Sequence, residues 1–407
     1  MPSAAPQRQD SPQSVEPAPR AAPQRVLALD TFRGLTILFM IFVNAVAGVP
    51  GVPAWLEHAP PGVDGMTVAD VVFPAFLFIV GMSIPFAMAR RSAAGDSRWQ
   101  LARHVAARTT GLLVLGVFMV NAESGYNEAA MGMSIHLWSL AAYGGALLVW
   151  HGQSFSRREA GTALRVLGAL VLLVLGLLYR GGASGVDRLA PQWWGILGLI
   201  GWAYLVASVI YMLAGDRPMM LAGALAGCIA FYCAAQAGAP GVLAGQAGNA
   251  VHAAIVLSGV LTARIFPGGA ARQDTRPRYL MALLLTAGLL AAGCALRPYF
   301  HISKIAATPS WALYSAAICV AAFGWLYWLV DLRGIARWTA PLLPAAANPL
   351  LAYVVPYIVY ALTRYLHVTL PAKLTAGAPG MVAALAYACA VVASVPLLNR
   401  MHITLRL

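Results

Sequence analysis

The stretches GLTILFMIFVNAVAGV (34–49), WLEHAPPGVDGMTVAD (55–70) and VVFPAFLFIVGMSIPFAM (71–88) decide the fold of this chain. The flanking apolar segments, 33–52 and 68–89, each approach the roughly 20 residues needed to cross about 30 Å of hydrocarbon. Between them lie His58 and three carboxylates, Glu57, Asp64 and Asp70, and no Lys or Arg occurs between Gly34 and Ala89. A loop that only reverses the chain needs no such cluster. The two helices and their loop therefore read as the core of an active site at a membrane surface.

The rest of the chain extends this pattern. Of its 407 residues 60% are hydrophobic and 10% charged, where a soluble protein carries about 25% charged residues. Hydropathy marks twelve spans: 33–52, 68–89, 106–121, 132–150, 162–179, 193–213, 219–236, 248–266, 279–297, 310–331, 340–362 and 380–398. Strand-type alternation is missing from them, so the expected class is all-α, a polytopic membrane bundle of about 10–12 transmembrane helices. Residues 1–26, rich in Pro, Ala and Gln, read as a disordered cytoplasmic tail, and 27–407 as one transmembrane domain. The five cysteines fall in apolar runs without disulfide or metal spacing, and behave as small hydrophobes.

The net charge of +13 is first an orientation signal in such a chain and makes nucleic acid a poor partner. Across the twelve spans, 21 of the 27 Lys and Arg fall on one side and 6 on the other. The positive-inside rule then places both termini in the cytoplasm and the His58 loop outside.

Candidate chemistry follows from residue type and placement. An imidazole titrates near neutrality and can take a proton from an attacking amine or hydroxyl, and a carboxylate beside it fixes its tautomer. His58 has Glu57, Asp64 and Asp70 as candidate partners, and Asp70 also stands where it would cap the second helix. Asn44, in the last third of the first helix, reads either as a donor to a carbonyl oxygen or as polar glue between helices. At the cytoplasmic end, Asp30 and Arg33 sit one turn apart. Arg90, Arg91, Arg98, Arg103 and Arg108 follow the second helix, where guanidinium groups suit phosphates, of a ligand or of membrane lipids. His301 and Lys304 in HISKIAATPSW (301–311) oppose the charge bias of the outer side. Asn348 opens NPLLAYVVPYIVY (348–360), which Pro349 and Pro356 interrupt. Together with Asp64 these make up the expected substrate-binding set. No P-loop, GxSxG or HExxH signature and no metal-ligand spacing is present in the sequence.

RVLALDTFRGLTILFMIFVN (25–44), the His58 loop and MTVADVVFPAFLFIVGMSIPF (66–86) together resemble the heparan-α-glucosaminide N-acetyltransferase family, with HISKIAATPSW and AANPLLAY as weaker matches. The resemblance is most specific over residues 28–91. It implies a transmembrane acyltransferase in a bacterial inner membrane that passes acetyl from cytoplasmic acetyl-CoA to a sugar or glycan on the far side. It puts His58 at the family's essential histidine, Asn44 at a nearby asparagine and Asp70 at the aspartate of its TVAD run. Where many members carry a Gln-Arg pair, this chain has His136. The resemblance makes catalytic residues of His58, Asn44 and Asp70. Arg33, Arg90, Arg91 and Arg98 are the expected holders of acetyl-CoA, with no metal. His58 would act as a base or carry acetyl transiently. The rival reading is a sugar or lipid-linked glycan transporter or flippase, whose polar residues would spread along several helices at mid-depth. Gly-rich faces would permit packing between protomers of a homodimer.

Overall fold

Asp331, near the far end of the chain, sets where the first helix begins. In the computed structural model its carboxylate oxygens accept from the Leu27 and Ala28 amides at 3.1 and 2.8 Å. These amides belong to the first turn of a helix, where no intrahelical acceptor exists. The helix therefore starts at Leu27, six residues ahead of the hydropathy boundary. The structure describes residues 26–151, 158–238, 241, 244–268, 275–405 and 407. The expected tail, 1–26, lies outside them except for Val26.

Fourteen α-helices and no strands are found among the described residues. They are α1 Leu27–Val46, α2 Val68–Ala93, α3 Arg98–Glu123, α4 Glu128–Met131, α5 Ile135–Val149, α6 Arg158–Leu178 and α7 Gly195–Ala214. There follow α8 Pro218–Gln236, α9 Ala247–Ile265, α10 Thr275–Leu296, α11 Pro309–Tyr327, α12 Leu343–Ala347, α13 Pro349–Tyr365 and α14 Gly377–Arg400. Ten helical segments are long and apolar enough to span a membrane, α11 being lengthened by a π-turn through Leu332, and the chain is an integral membrane protein. α5 and α13 fill the two remaining positions of the twelve-span pattern. One hydropathy segment needs correction: 340–362 is two helices, α12 and α13, parted at Asn348 with Pro349 in the first turn of the second. Proline disfavours a helical conformation in the residue before it and lacks an N–H that a first turn does not need. By contrast α2 runs through Pro74 and Pro85 without a break.

The centre of the bundle is α2 against α9, with α1, α7 and α11 around them, while α6, α8 and α10 stay mostly exposed, as lipid-facing helices must. The central contact depends on two glycines. A Cβ on Gly81 would lie 1.8 Å from the Val256 carbonyl oxygen, and one on Gly259 would lie 2.0 Å from that of Phe78. Hydrogen at both positions lets the two backbones touch, which is how helices associate where no hydrophobic effect drives them.

One end of this bundle carries the His58 loop. The other carries a separate polar layer, in which Arg33 reaches Asp30 at 3.1 Å, the Ser83 hydroxyl at 2.8 Å and the Ala346 carbonyl at 3.2 Å. Ser83 stands thirteen residues beyond Asp70 on α2, about 20 Å along the axis at 1.5 Å per residue.

Candidate active site

The site is assembled by Asp70. It sits in the first turn of α2, 2% exposed, and its Oδ1 lies 2.8 Å from His58 Nδ1. Its Oδ2 accepts from the amides of Ala59 at 3.0 Å and Thr67 at 3.1 Å, the second being half of a capping box. The Thr67 hydroxyl donates to the Glu57 carbonyl at 2.6 Å, closing the loop on itself. Trp311 Nε1, buried, donates to the Asp70 carbonyl at 3.2 Å and ties α11 to the same turn. An ionised carboxylate is acceptor only, so the proton of this pair is on Nδ1 and the ring's lone pair is on Nε2. Of the three carboxylates near His58 in sequence, Asp70 meets the ring, whereas the Glu57 side chain makes no hydrogen bond or ion pair with it among the described residues.

Asp64 has a different task. Its Oδ1 accepts from the Ile302 amide at 2.8 Å, its Oδ2 from Arg297 Nε at 3.1 Å, and His301 Nδ1 stands 3.5 Å away. Gly65 adds a backbone bond to the Ile302 carbonyl at 3.2 Å. The His58 loop is thereby docked on the α10–α11 connection. The Ile302 amide and then the Arg297 guanidinium favour the ionised form, holding the Asp64 carboxyl below its ordinary value. His301 projects outward, 72% exposed.

The docking delivers Lys304 to the site. Its ammonium is 3.2 Å from Nδ1 and 3.3 Å from Nε2 of His58, and 3.9 Å from Asp70 Oδ1. His58 and Lys304 open on a cleft of about 480 Å3, mouth included, lined also by Met40, Asn44, Phe73, Phe76, Ile200 and Tyr353. Asn44 has no hydrogen-bond partner among the described residues, so its amide is available to the cleft. Phe73 and Tyr353 are contributors that residue-by-residue reading passes over, because an apolar or aromatic side chain on a membrane helix carries no signal of its own.

A second cleft opens toward the other end of the bundle, about 350 Å3 with its mouth. It is lined by Ser83, Ile84, Arg91, His104, Arg108 and Tyr204 among others. Arg91 Nε is paired with Asp96 at 2.8 Å, and the Arg108 guanidinium stacks 4.8 Å from the Tyr204 ring centre. Arg90 and Arg98 are exposed and do not line this cleft, whereas Arg33 is held in the internal layer described above. Asn348 is not with His58: it is buried and donates to Asn399 Oδ1 at 3.0 Å near the end of α14, at the level of the Arg33 layer. The two clefts lie end to end. On α2 the lining passes from Phe76 to Val80, and on α7 from Ile200 to Tyr204, one helical turn in each case. Among the described residues no group of three His, Cys, Asp or Glu is placed to hold a metal.

A polytopic helical membrane protein with a His–Asp pair over an apolar cleft is the class that fold and site define. Residues 25–245, more than half of the chain, match a family described as a domain of unknown function (DUF5009), and the chain belongs to that family. It is also 39% identical over 102 residues to heparan-alpha-glucosaminide N-acetyltransferase of Homo sapiens, a match covering 25% of this chain and 14% of that protein. The same enzyme of Mus musculus is 38% identical over 103 residues, covering 25% and 15%. The match thus spans about one seventh of the length of these curated relatives. The resemblance read from residues 28–91 is borne out at this level.

Proposed function

We propose that the protein is a membrane acetyltransferase in which acetyl-CoA, bound at the cytoplasmic end, donates its acetyl group to a sugar or glycan at the opposite face. The observation that carries this reading is the His58–Asp70 pair at 2.8 Å, on a histidine that lines the same cleft as Asn44. Asp70 holds the tautomer and faces the imidazolium as it forms. Nε2 takes the proton of the acceptor amine or hydroxyl, and the acceptor attacks the thioester carbonyl. Asn44 donates to the oxygen as charge develops on it.

The donor's phosphates suit Arg91 and Arg108 in the second cleft, with Arg90 and Arg98 as further, exposed guanidinium groups. A thioester arm would then follow the α2–α7 seam, where one helical turn separates the two clefts. The 21-to-6 split of basic residues supports this orientation, with both termini in the cytoplasm. A polar layer at each end, joined by an apolar seam, suits transfer along a fixed arm better than carriage of a whole sugar. That favours the enzyme over a transporter or flippase.

The test is transfer of label from radiolabelled acetyl-CoA to a panel of amino sugars and glycans by purified protein. Wild type is expected to transfer label and folded His58→Ala to lose it by about 10²–10⁴-fold. Transfer surviving in His58→Ala would remove the histidine from the chemistry. A wild type that neither binds acetyl-CoA nor transfers acetyl would turn the assignment to the transporter.

A further inference from the structure

Lys304 is placed by its backbone, and its charge has the Asp70 carboxylate as a partner only at 3.9 Å, beyond hydrogen-bond reach. Within its loop the Ile302 amide is bound by Asp64, the Ser303 amide donates to Thr308 Oγ1 at 3.0 Å, and the Ala307 amide donates to the Lys304 carbonyl at 3.1 Å. The side chain is 22% exposed. An ammonium has three N–H donors. Nζ makes no hydrogen bond to a carbonyl or carboxylate oxygen among the described residues, Asp70 Oδ1 being 3.9 Å away.

The two ring nitrogens of His58 do not make up the deficit. Nδ1–H donates to Asp70 and has no lone pair to offer. A donor aligned with the Nε2 lone pair would lie well away from Nδ1, yet Nζ is nearly equidistant from both, at 3.2 and 3.3 Å. The ammonium therefore lies beside the ring, off the lone-pair axis. Half-buried donors without acceptors are costly, and burial pushes the Lys304 ammonium below its ordinary value while Asp70 opposes that shift. The group is a desolvated cation with unused donors in the wall of the cleft, within 3.3 Å of the nitrogen at which the reaction would run.

We propose that Lys304 is a catalytic residue whose ammonium receives the carbonyl oxygen of the transferring acyl group as it becomes an oxyanion. This rests on the acyl-transfer reading and adds to it a charged electrophile beside the base. In the step, the acceptor's nitrogen or oxygen forms a bond to the thioester carbonyl carbon while its proton passes to His58 Nε2. The carbonyl π pair moves onto oxygen, where Lys304 donates to it. The oxyanion then collapses, the C–S bond breaks with its electron pair leaving on sulfur, and the thiolate takes the proton from His58. The products are the acetylated acceptor and free thiol, and Lys304 ends protonated as it began. An acceptor atom within hydrogen-bond reach of Nε2 has the carbonyl carbon one bond length beyond. An oxygen on that carbon falls within reach of a donor already beside the ring.

The test compares wild type with Lys304→Met and with Lys304→Cys before and after aminoethylation, which rebuilds an ammonium of nearly the same reach. Wild type taken through the same treatment controls for its five cysteines. With acetyl-CoA and an accepted amino sugar saturating, Lys304→Met is expected to lose about 10²–10³-fold in kcat, with KM for either substrate changed only a few-fold. Aminoethylation of Lys304→Cys should recover at least tenfold of that loss. Unchanged kcat in Lys304→Met, a loss confined to KM, or no recovery on aminoethylation would overturn the proposal, the last by making the role structural. If wild type itself transfers no acetyl group, it is the acyltransferase reading that fails, and the proposal falls with it.

Discussion

At the scale of single residues, the loop that carries His58 depends on a carboxylate outside the proposed chemistry. Asp64 fastens the loop to the α10–α11 connection through Ile302 and Arg297, at 2.8 and 3.1 Å, and so holds His58 and Lys304 together. Its carboxyl is held below the ordinary value, first by the Ile302 amide, so its protons bind less readily in the docked than in the undocked loop. The linkage sign follows: docking is fully stabilised above the ordinary carboxylate range and loses that contribution as pH falls through the depressed native value. Asp64→Asn is expected to speed amide hydrogen exchange over residues 57–67 at neutral pH and to abolish its acid dependence there. An Asp64→Asn loop exchanging as wild type does at both pH values would show that the docking lies elsewhere. The partners differ in how readable they were. His58 and Asp70 are 12 residues apart, within one loop, and their pairing was among the few geometries that loop allows. Lys304 is 246 residues from His58. Its type was legible, but its contact was not, because that depends on Asp64 bonding to a backbone amide.

At the scale of elements, hydropathy located all ten helices long enough to cross a membrane, and the shorter α5 and α13 besides, since a bilayer rewards any run of apolar residues of the right length. It failed where a boundary was set by a distant side chain or by backbone geometry. The start of α1 is fixed by Asp331, 304 residues away from Leu27, and the division of α12 from α13 by Asn348 and Pro349. The α2–α9 contact was equally hidden, because a lone glycine in a membrane helix is common, and its meaning lies in the backbone opposite. Gly81→Val places its Cβ within 1.8 Å of a backbone oxygen that no rotamer can move. Overpacking in a close-packed interior costs about 1–3 kcal/mol and sometimes more. The variant is expected to unfold at lower temperature in detergent and, since α2 carries Asp70, to lose activity as well. Gly223, whose Cβ would meet nothing within 4 Å, serves as the control: Gly223→Val should leave both unchanged. Equal melting of Gly81→Val and Gly223→Val would show that the close contact contributes nothing.

At the scale of the whole molecule, the two clefts are one construction. Each is small for a nucleotide thioester and a sugar together, and they meet along α2 and α7 through the pairs Phe76–Val80 and Ile200–Tyr204. A donor anchored by phosphates at one end and reacting at the other, as proposed, would pass this seam with its slender arm alone, and the side chains that line it there, Phe76, Val80 and Ile200, are apolar. Ile200 stands in the His58 cleft at the seam, one turn from Tyr204 in the arginine cleft. Enlarging it should close the passage without touching either set of polar residues. Ile200→Trp is expected to abolish acetyl transfer, by about 10²-fold or more given how steeply rate depends on placement of the reacting atoms. It should still bind adenosine 3′,5′-diphosphate, which carries phosphates of the donor without the arm, with wild-type affinity. Calorimetry with that compound, alongside the label-transfer assay, separates the two effects. Transfer persisting in Ile200→Trp would mean that the arm does not run between α2 and α7. Joint loss of transfer and of diphosphate binding would mean that the two clefts do not divide the donor between them as the seam suggests.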